Sequence, residues 1–157
     1  MKLNPGTEIE RYVVDQAIGA GGTAMVYRIV HSKLNTSFAL KVLTITSESI
    51  RKRILLEGQV QASLRHVNIV AVTDVLDVDG SPGLVMEYIE GPSLERALRR
   101  YQLAMRDAET LFVGVVSGVS HAHSHGLVHR DLKPANVLLD EDLHVRLSDF
   151  GVARMWW

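Results

Sequence analysis

Apolar positions come first in short runs and later at helical spacing. Tyr12–Ile18 is an apolar-rich run that ends at a glycine cluster, Gly19-Ala20-Gly21-Gly22, and Val26–His31 follows it. The pattern predicts strand, turn, strand. Phe38–Leu43 predicts a third strand, apolar except for Lys41. From Glu48 to Arg65 the period is helical, and Ile50, Ile54, Glu57, Gln61 and Leu64 fall on one stripe. A glutamate lies in the middle of that stripe. Burying a carboxylate without a partner is costly, so the helix itself asks for a cation nearby.

Ile69–Val78 and Gly83–Tyr88 predict two more strands, joined by a turn at Asp79-Gly80-Ser81-Pro82. Gly91-Pro92-Ser93 breaks the chain, and Leu94–Arg100 reads as a short helix. A long helix is predicted from about Asp107 to Ser124, with Asp107 as its N-cap and Gly126 just past its C-terminus. Its apolar set is Ala108, Leu111, Phe112, Val115, Val116, Val119 and Ala122. From Val128 onward, short strands surround a polar loop. Strands with one helix, then mostly helix, predict an α+β fold. A small β-rich lobe runs to about residue 86, and a helical lobe begins after it.

The chain has 157 residues, enough for one compact domain or part of a larger one. At 46% apolar and 22% charged residues, a sizeable core is available. Seventeen basic residues against 18 acidic ones give a formal charge of −1, no electrostatic case for nucleic acid or an anionic membrane. The absence of cysteine removes disulfides, thiolate zinc sites and cysteine nucleophiles, and fits a reducing compartment. Met1 to Glu10 has no apolar core of the kind a secretory signal needs. Leu111 to Val119 is too short to span a bilayer. A cytoplasmic location is expected, with any membrane anchor beyond residue 157.

Four elements carry chemistry. The first is Ile18-Gly19-Ala20-Gly21-Gly22-Thr23-Ala24-Met25-Val26. Glycines let backbone N–H groups approach phosphate oxygens, although such runs also make ordinary hairpin turns. The second is Lys41 with Glu57. Either one alone reads as a solvated surface residue. Together they can satisfy each other, leaving the lysine donors for a phosphate. The third is His129-Arg130-Asp131-Leu132-Lys133-Pro134-Ala135-Asn136. Asp131 can orient a hydroxyl and accept its proton, and Asn136 can ligate a hard cation through its carbonyl. The fourth is Ser148-Asp149-Phe150-Gly151, which by itself is also a common turn. His121, His123 and His125 alternate, but two ligands on a helix end make a poor metal site.

In this order, the four elements resemble the signature of eukaryotic-like (Hanks-type) serine/threonine protein kinases, with wording similar to bacterial members. The resemblance covers about Tyr12 to Arg154. It implies a bilobal kinase-like fold with a lobe boundary near residue 86 and an N-terminal extension over 1–11. It implies ATP as cosubstrate, Mg2+ (or Mn2+) as metal, and protein Ser/Thr hydroxyls as phosphate acceptors. The glycine loop would cover the phosphates. Ile18, Val26, Ala39 and Leu138 would sandwich the adenine, and Met86 would lie behind it. Glu87 to Ile89 would offer backbone hydrogen bonds to its edge. Lys41, held by Glu57, would bind the α- and β-phosphates. Asp131 would be the catalytic base, Lys133 would lie near the transferred phosphate, and Asn136 and Asp149 would hold the metal. Arg130 would pair with an activation-loop phosphate.

The pattern departs from the family in three places. Ala24 stands where a third glycine is usual. Gln61 stands where an apolar side chain would join Val72, His129 and Phe150 in a stack. After Gly151 only Val-Ala-Arg-Met-Trp-Trp follows, without the activation segment, the Ala-Pro-Glu motif or the later helices. A truncated kinase, inactive or nearly so by itself, is the expectation. A stripe including Leu111, Val115 and Val119 should then be partly exposed. A pseudokinase-like nucleotide-binding or scaffold module is the alternative, and a small-molecule kinase of related fold ranks below both. Substrate identity and oligomeric state are not legible.

Overall fold

The apolar runs of the first half become the strands of one antiparallel sheet. The computed structural model describes residues 2–21, 24–44 and 47–150, apart from the side chains of Ile50, Arg53, Ile54 and Glu57. Two compact units emerge: Met1–Ala62 with Val72–Tyr88, and Ser63–Ala71 with Ile89–Trp157.

In the first unit, β1 (Glu8–Ile9), β2 (Tyr12–Ala20), β3 (Ala24–His31), β4 (Ser37–Leu43), β5 (Val72–Val78) and β6 (Ser81–Glu87) pair in the order β1-β2-β3-β4-β6-β5. Alternation along the strands separates two faces. Tyr27, Leu40, Val42 and Val85 share one, where Tyr12, Val14, Ile29, Leu76 and Val78 complete a dry cluster. Residues 1–11, read from the sequence as an extension, contribute β1 and the buried Leu3 and Ile9 to that cluster. The backbone N–H of Leu3 donates to Tyr27 Oη at 3.0 Å, which satisfies a phenol that is otherwise fully buried. β5 and β6 meet at a two-residue turn, Asp79-Gly80, where both residues have positive φ (48° and 81°). That geometry is the tight hairpin turn that Asp-Gly favours. Helix α1 (Glu48–Ser63) packs on the other face. A Cβ on Gly58 would stand 2.9 Å from Leu84 Cδ2, so the glycine sets how closely the helix approaches.

The second unit holds α2 (Leu94–Arg100), α3 (Met105–Ser124), a 3-10 turn (Pro134–Asn136), and the hairpin β7 (Val137–Leu139) and β8 (Val145–Leu147). The long helix starts two residues earlier than its pattern predicts. Its N-cap is Ala104, with no side-chain cap, so Asp107 is not the cap. Asp107 instead lies in the first turn, where its charge suits the positive helix end. The C-terminus behaves as expected. Gly126 (φ 76°) donates to His123 O and Leu127 to Ala122 O, both at 3.0 Å, the paired bonds of a Schellman ending.

Segment 63–71 belongs here although its sequence neighbours belong to the first unit. Asn68 is the reason. Its backbone O accepts from Leu147 N (2.8 Å), its Nδ2 donates to Val145 O (2.9 Å), and Val70 N donates to Leu147 O (2.9 Å). Helix α3 closes over this junction through Gly114 and Gly118. The glycines that interrupt its apolar pattern are therefore the contact points. Leu111, Gly118 and Ala122 are buried, and Val115 and Val119 half-buried. The strongly exposed apolar residues of the helix are Met105, Phe112, Val113 and Val116, so Leu111 does not share in the exposure expected of its stripe.

The histidine pattern resolves differently from a metal pair. The His66 and His121 rings pack tilted against each other (4.7 Å between centroids), as do His121 and His125 (4.5 Å). His66 Nδ1 accepts from Asn68 N–H at 3.0 Å, and its Nε2 lies 3.3 Å from Ser117 Oγ. These rings pack on one another, with His66 committed to fixing its own segment.

Candidate nucleotide and catalytic-loop site

The residues singled out for chemistry fall into two groups, one in each unit. In the first unit, Lys41 is not an edge lysine. β4 runs between β3 and β6, and the Lys41 residue is only 9% exposed. Its cross-strand partners are Val26 and Leu84, and Ala39 pairs with Met86. Register therefore gathers Val26, Ala39, Lys41 and Met86 on one face, opposite the dry cluster. Ala39 and Met86 are buried, Val26 half-buried and Ile18 exposed at the end of β2. That face is apolar with one embedded cation. α1 covers the same face, since Gly58 meets Leu84, the neighbour of Lys41. The Glu57 side chain lies outside the described residues, and the expected Lys41–Glu57 pair with it.

The glycine run is a hairpin tip. β2 and β3 stay paired to Gly19↔Val26 and Ala20↔Met25, and Gly21 N donates to Ala24 O at 2.9 Å. Gly22 and Thr23 lie outside the described residues. Ala24 is buried, pairs with Leu43 and has no positive φ, so alanine meets no backbone penalty there. Glu87 pairs with Phe38 at the end of β6.

In the second unit the polar loop is built around Asp131. Lys133 Nζ lies 2.9 Å from its Oδ2. Asn136 Nδ2 donates to the same oxygen at 3.1 Å and to the Asp131 carbonyl at 2.8 Å. Among the described residues no group donates to Asp131 Oδ1. The Lys133 hydrogen bond, helped by Asn136, holds the Asp131 carboxyl below its ordinary range despite some burial. Asn136 is buried, and its nitrogen is spent on Asp131. Its side-chain oxygen, Oδ1, accepts from no described group and is the end suited to a hard cation.

The Asp149 backbone is held from both sides. Ser148 N (3.0 Å) and Oγ (3.2 Å) donate to Asn136 O. Ser148 O pairs with His129 Nε2 at 2.7 Å. The Phe150 ring packs on His129 with centroids 4.5 Å apart, which forms that half of the expected stack. Gln61 and Val72, its other members, are buried in the first unit. Between these anchors Asp149 adopts φ 61°, and Arg130 adopts φ 65°. Non-glycine residues are rarely left-handed, and such strain gathers at functional sites. His129 is the keystone. Its Nδ1 faces Asp131 N–H (3.3 Å) and its Nε2 faces Ser148 O, so the ring is neutral with the proton on Nε2. Burial is the largest effect on it and pushes its pKa down. Leu138 pairs with Arg146, bridges to Ser93 and is half-buried, while Ile89 opens this unit's second segment.

Two positioning roles were not read from the sequence: that of Ser148, quoted there only within its motif, which ties Asp149 to Asn136, and that of Asn68, which ties β8 to segment 63–71. Asn68 had a signal, a lone amide before the apolar pair Ile69-Val70. Ser148 had none beyond its place beside Asp149.

Asp140, Asp142 and His144, at the β7–β8 turn, also bring three ligand-type atoms within 4.8 Å. Asp140 Oδ1 already accepts from Asp142 N (3.0 Å) and His144 N (2.9 Å), so the group fastens its own turn. Among the described residues, no helix is long and apolar enough to cross a membrane.

Residues 12–156 match the protein kinase domain family. The chain is 36% identical over 160 residues to serine/threonine-protein kinase PknJ of Mycobacterium bovis, covering 98% of this chain and 27% of that protein. It is 36% identical over 148 residues to PrkC of Bacillus subtilis, covering 91% of this chain and 23% of that protein. Among solved structures it is similar to the Mycobacterium tuberculosis PknI kinase domain, with TM-score 0.81 and 31% identity over 98% of this chain and 64% of that one. The chain thus spans about a quarter of the length of these curated relatives. Motif order, the Asp131-centred loop and these matches agree, and the chain belongs to the protein kinase family, alongside bacterial serine/threonine kinases.

Proposed function

We propose that this chain supplies the nucleotide-binding and catalytic-loop part of an ATP-dependent serine/threonine protein kinase. The reaction moves the γ-phosphate of ATP to a Ser or Thr hydroxyl of a protein. The bonding of Asp131 carries the reading. One of its carboxylate oxygens is fixed by Lys133 and Asn136, and the other accepts from no group among the described residues. A hydroxyl beside that second oxygen meets an oriented, ionised base that can take its proton as the new P–O bond forms. As the bond from the γ-phosphorus to ADP breaks, Lys133 beside Asp131 offers positive charge to the negative oxygens of the group in transfer.

The donor set suits a divalent cation. The side-chain carbonyl of Asn136 and the Asp149 carboxylate are hard oxygen ligands, fit for Mg2+ and for Mn2+ alike. Such a cation, when bound, neutralises phosphate charge. Lys41 is assigned to the α- and β-phosphates, steadied by Glu57. Gly19, Ala20, Gly21, Gly22, Thr23, Ala24 and Met25 are assigned to cover the phosphates. Ile18, Val26, Ala39 and Leu138 are assigned to the adenine faces, Met86 to the back of the pocket, and Glu87 and Ile89 to its edge.

The test is ATP binding to the purified chain with and without magnesium. Binding rather than transfer is the first readout, because the chain covers 64% of the solved kinase domain it resembles. Lys41→Ala should abolish binding, and Asp149→Ala should abolish its magnesium dependence. Magnesium-independent binding that both variants retain would refute the assignment.

A further inference from the structure

Helix α2 carries three arginines in seven residues, Leu94-Glu95-Arg96-Ala97-Leu98-Arg99-Arg100. They do not share a fate. Arg99 pairs with Glu95 one turn back, at 3.6 Å. Arg96 and Arg100, also one turn apart, have no carboxylate partner among the described residues. Both line a cavity of about 330 Å³ together with Gly91, Pro92, Ala97 and Tyr101. Glu90, the acid next to the loop wall, is not among the lining residues.

The walls of this cavity are fixed. Residues 91–93 are stitched to β7: Leu139 N donates to Pro92 O at 3.0 Å, and Ser93 bridges Leu138. A Cβ on Gly91 would lie 1.8 Å from Leu139 O, so only glycine lets the loop approach so closely. The helix wall packs against β7 and the 3-10 turn Pro134–Asn136. That turn begins directly after Lys133 and holds Asn136. The cavity and the catalytic loop therefore stand on one scaffold within one unit.

We propose that this cavity docks acidic side chains of the protein substrate, so that the kinase favours hydroxyls lying near Asp or Glu. Two guanidiniums one turn apart offer planar donor pairs to carboxylates. Tyr101 adds an aromatic wall with a hydroxyl. A chain of net charge −1 would otherwise repel an acidic segment weakly, so the preference must come from this local pair. The proposal rests on Asp131 being the catalytic base, and it specifies the substrate class of that same site.

The test uses fluorescein-labelled serine peptides, Asp-rich, Ala-rich and Lys-rich, titrated with the purified chain in low and physiological salt. The chain should bind the Asp-rich peptide preferentially, and added salt should erode the preference. The double variant Arg96→Glu/Arg100→Glu should lose Asp-rich binding by about tenfold or more and gain affinity for the Lys-rich peptide. Arg99→Glu, on the paired side of the helix, should leave the preference intact. Circular dichroism confirms folding of each variant, and magnesium-dependent ATP binding is measured on the same samples. Equal affinity for Asp-rich and Ala-rich peptides, or equal loss in Arg99→Glu, overturns the docking proposal. With ATP binding intact, that result leaves the kinase assignment standing. Acidic-peptide preference without any ATP binding would sink the kinase assignment instead.

Discussion

Replacing Gly118 by alanine should destabilise the protein, although a glycine-to-alanine change inside a helix normally does the reverse. Alanine is better than glycine in a helix interior by about 1 kcal/mol. At position 118 the new methyl would stand 2.8 Å from Leu147 Cδ1 and 2.9 Å from Asn68 O. The first atom ends a fully buried side chain. The second is backbone and already accepts from Leu147 N at 2.8 Å. Neither can yield without moving β8 or segment 63–71. Overpacking of this kind costs roughly 1–3 kcal/mol, enough to cancel the propensity gain and leave a net loss of up to about 2 kcal/mol. Urea denaturation with equal slopes for the two proteins reads the difference directly. The displacement also has a functional reach, since β8 runs straight into Ser148 and Asp149. Magnesium-dependent ATP binding should therefore weaken at urea concentrations where the variant is still folded. Gly114→Ala is the comparison. Its methyl would meet Val145 Cβ at 3.1 Å and Asn68 Nδ2 at 3.2 Å, a tighter-than-usual fit against side chains, so the loss should be smaller. A Gly118→Ala protein as stable as wild type, with unchanged nucleotide binding, would refute the claim that this glycine sets the distance between α3 and β8.

Two further outcomes follow from the catalytic loop. Asn136→Ala removes two hydrogen bonds to Asp131 at a buried position, at a cost of roughly 1–3 kcal/mol in urea unfolding, and it should weaken the magnesium dependence of ATP binding more than binding itself. On acidification, stability should fall in two stages. Burial lowers the pKa of His129 and of His66, so the unfolded chain, titrating near 6.5, binds protons first; stability is full above that value and is lost as pH falls through it. Asp131, depressed by Lys133, contributes stability present above the ordinary carboxylate value of 3.8 and lost only as pH falls below it. Unfolding free energy measured against pH checks both stages, and His129→Gln should flatten the first.

Legibility in the sequence followed how local each cause is. Strands and helices set by periodicity appeared where the apolar pattern placed them, and α2 matched to the residue. The grouping of Lys133 and Asn136 around Asp131 was legible because these residues lie within five positions, and short spacing confines geometry. Lys41 needed more. Its sequence allows an edge strand or a central one, and only the pairing of β4 between β3 and β6 decides. What could not be read depended on distant partners. Asn68 meets Val145 across 77 residues, and no spacing rule connects them. The start of α3 was misplaced because Asp107 is a good N-cap by type, while the helix begins at Met105 after an uncapped Ala104. Propensity for a cap is about a kilocalorie, and packing of a whole helix outweighs it. The glycines of α3 show the same logic in reverse. Read along the chain they are defects in an apolar stripe, but across the fold they let a helix touch backbone. A residue that looks like a loss in its own element can thus be where two elements meet, and here that meeting point holds the strand that leads into Asp149.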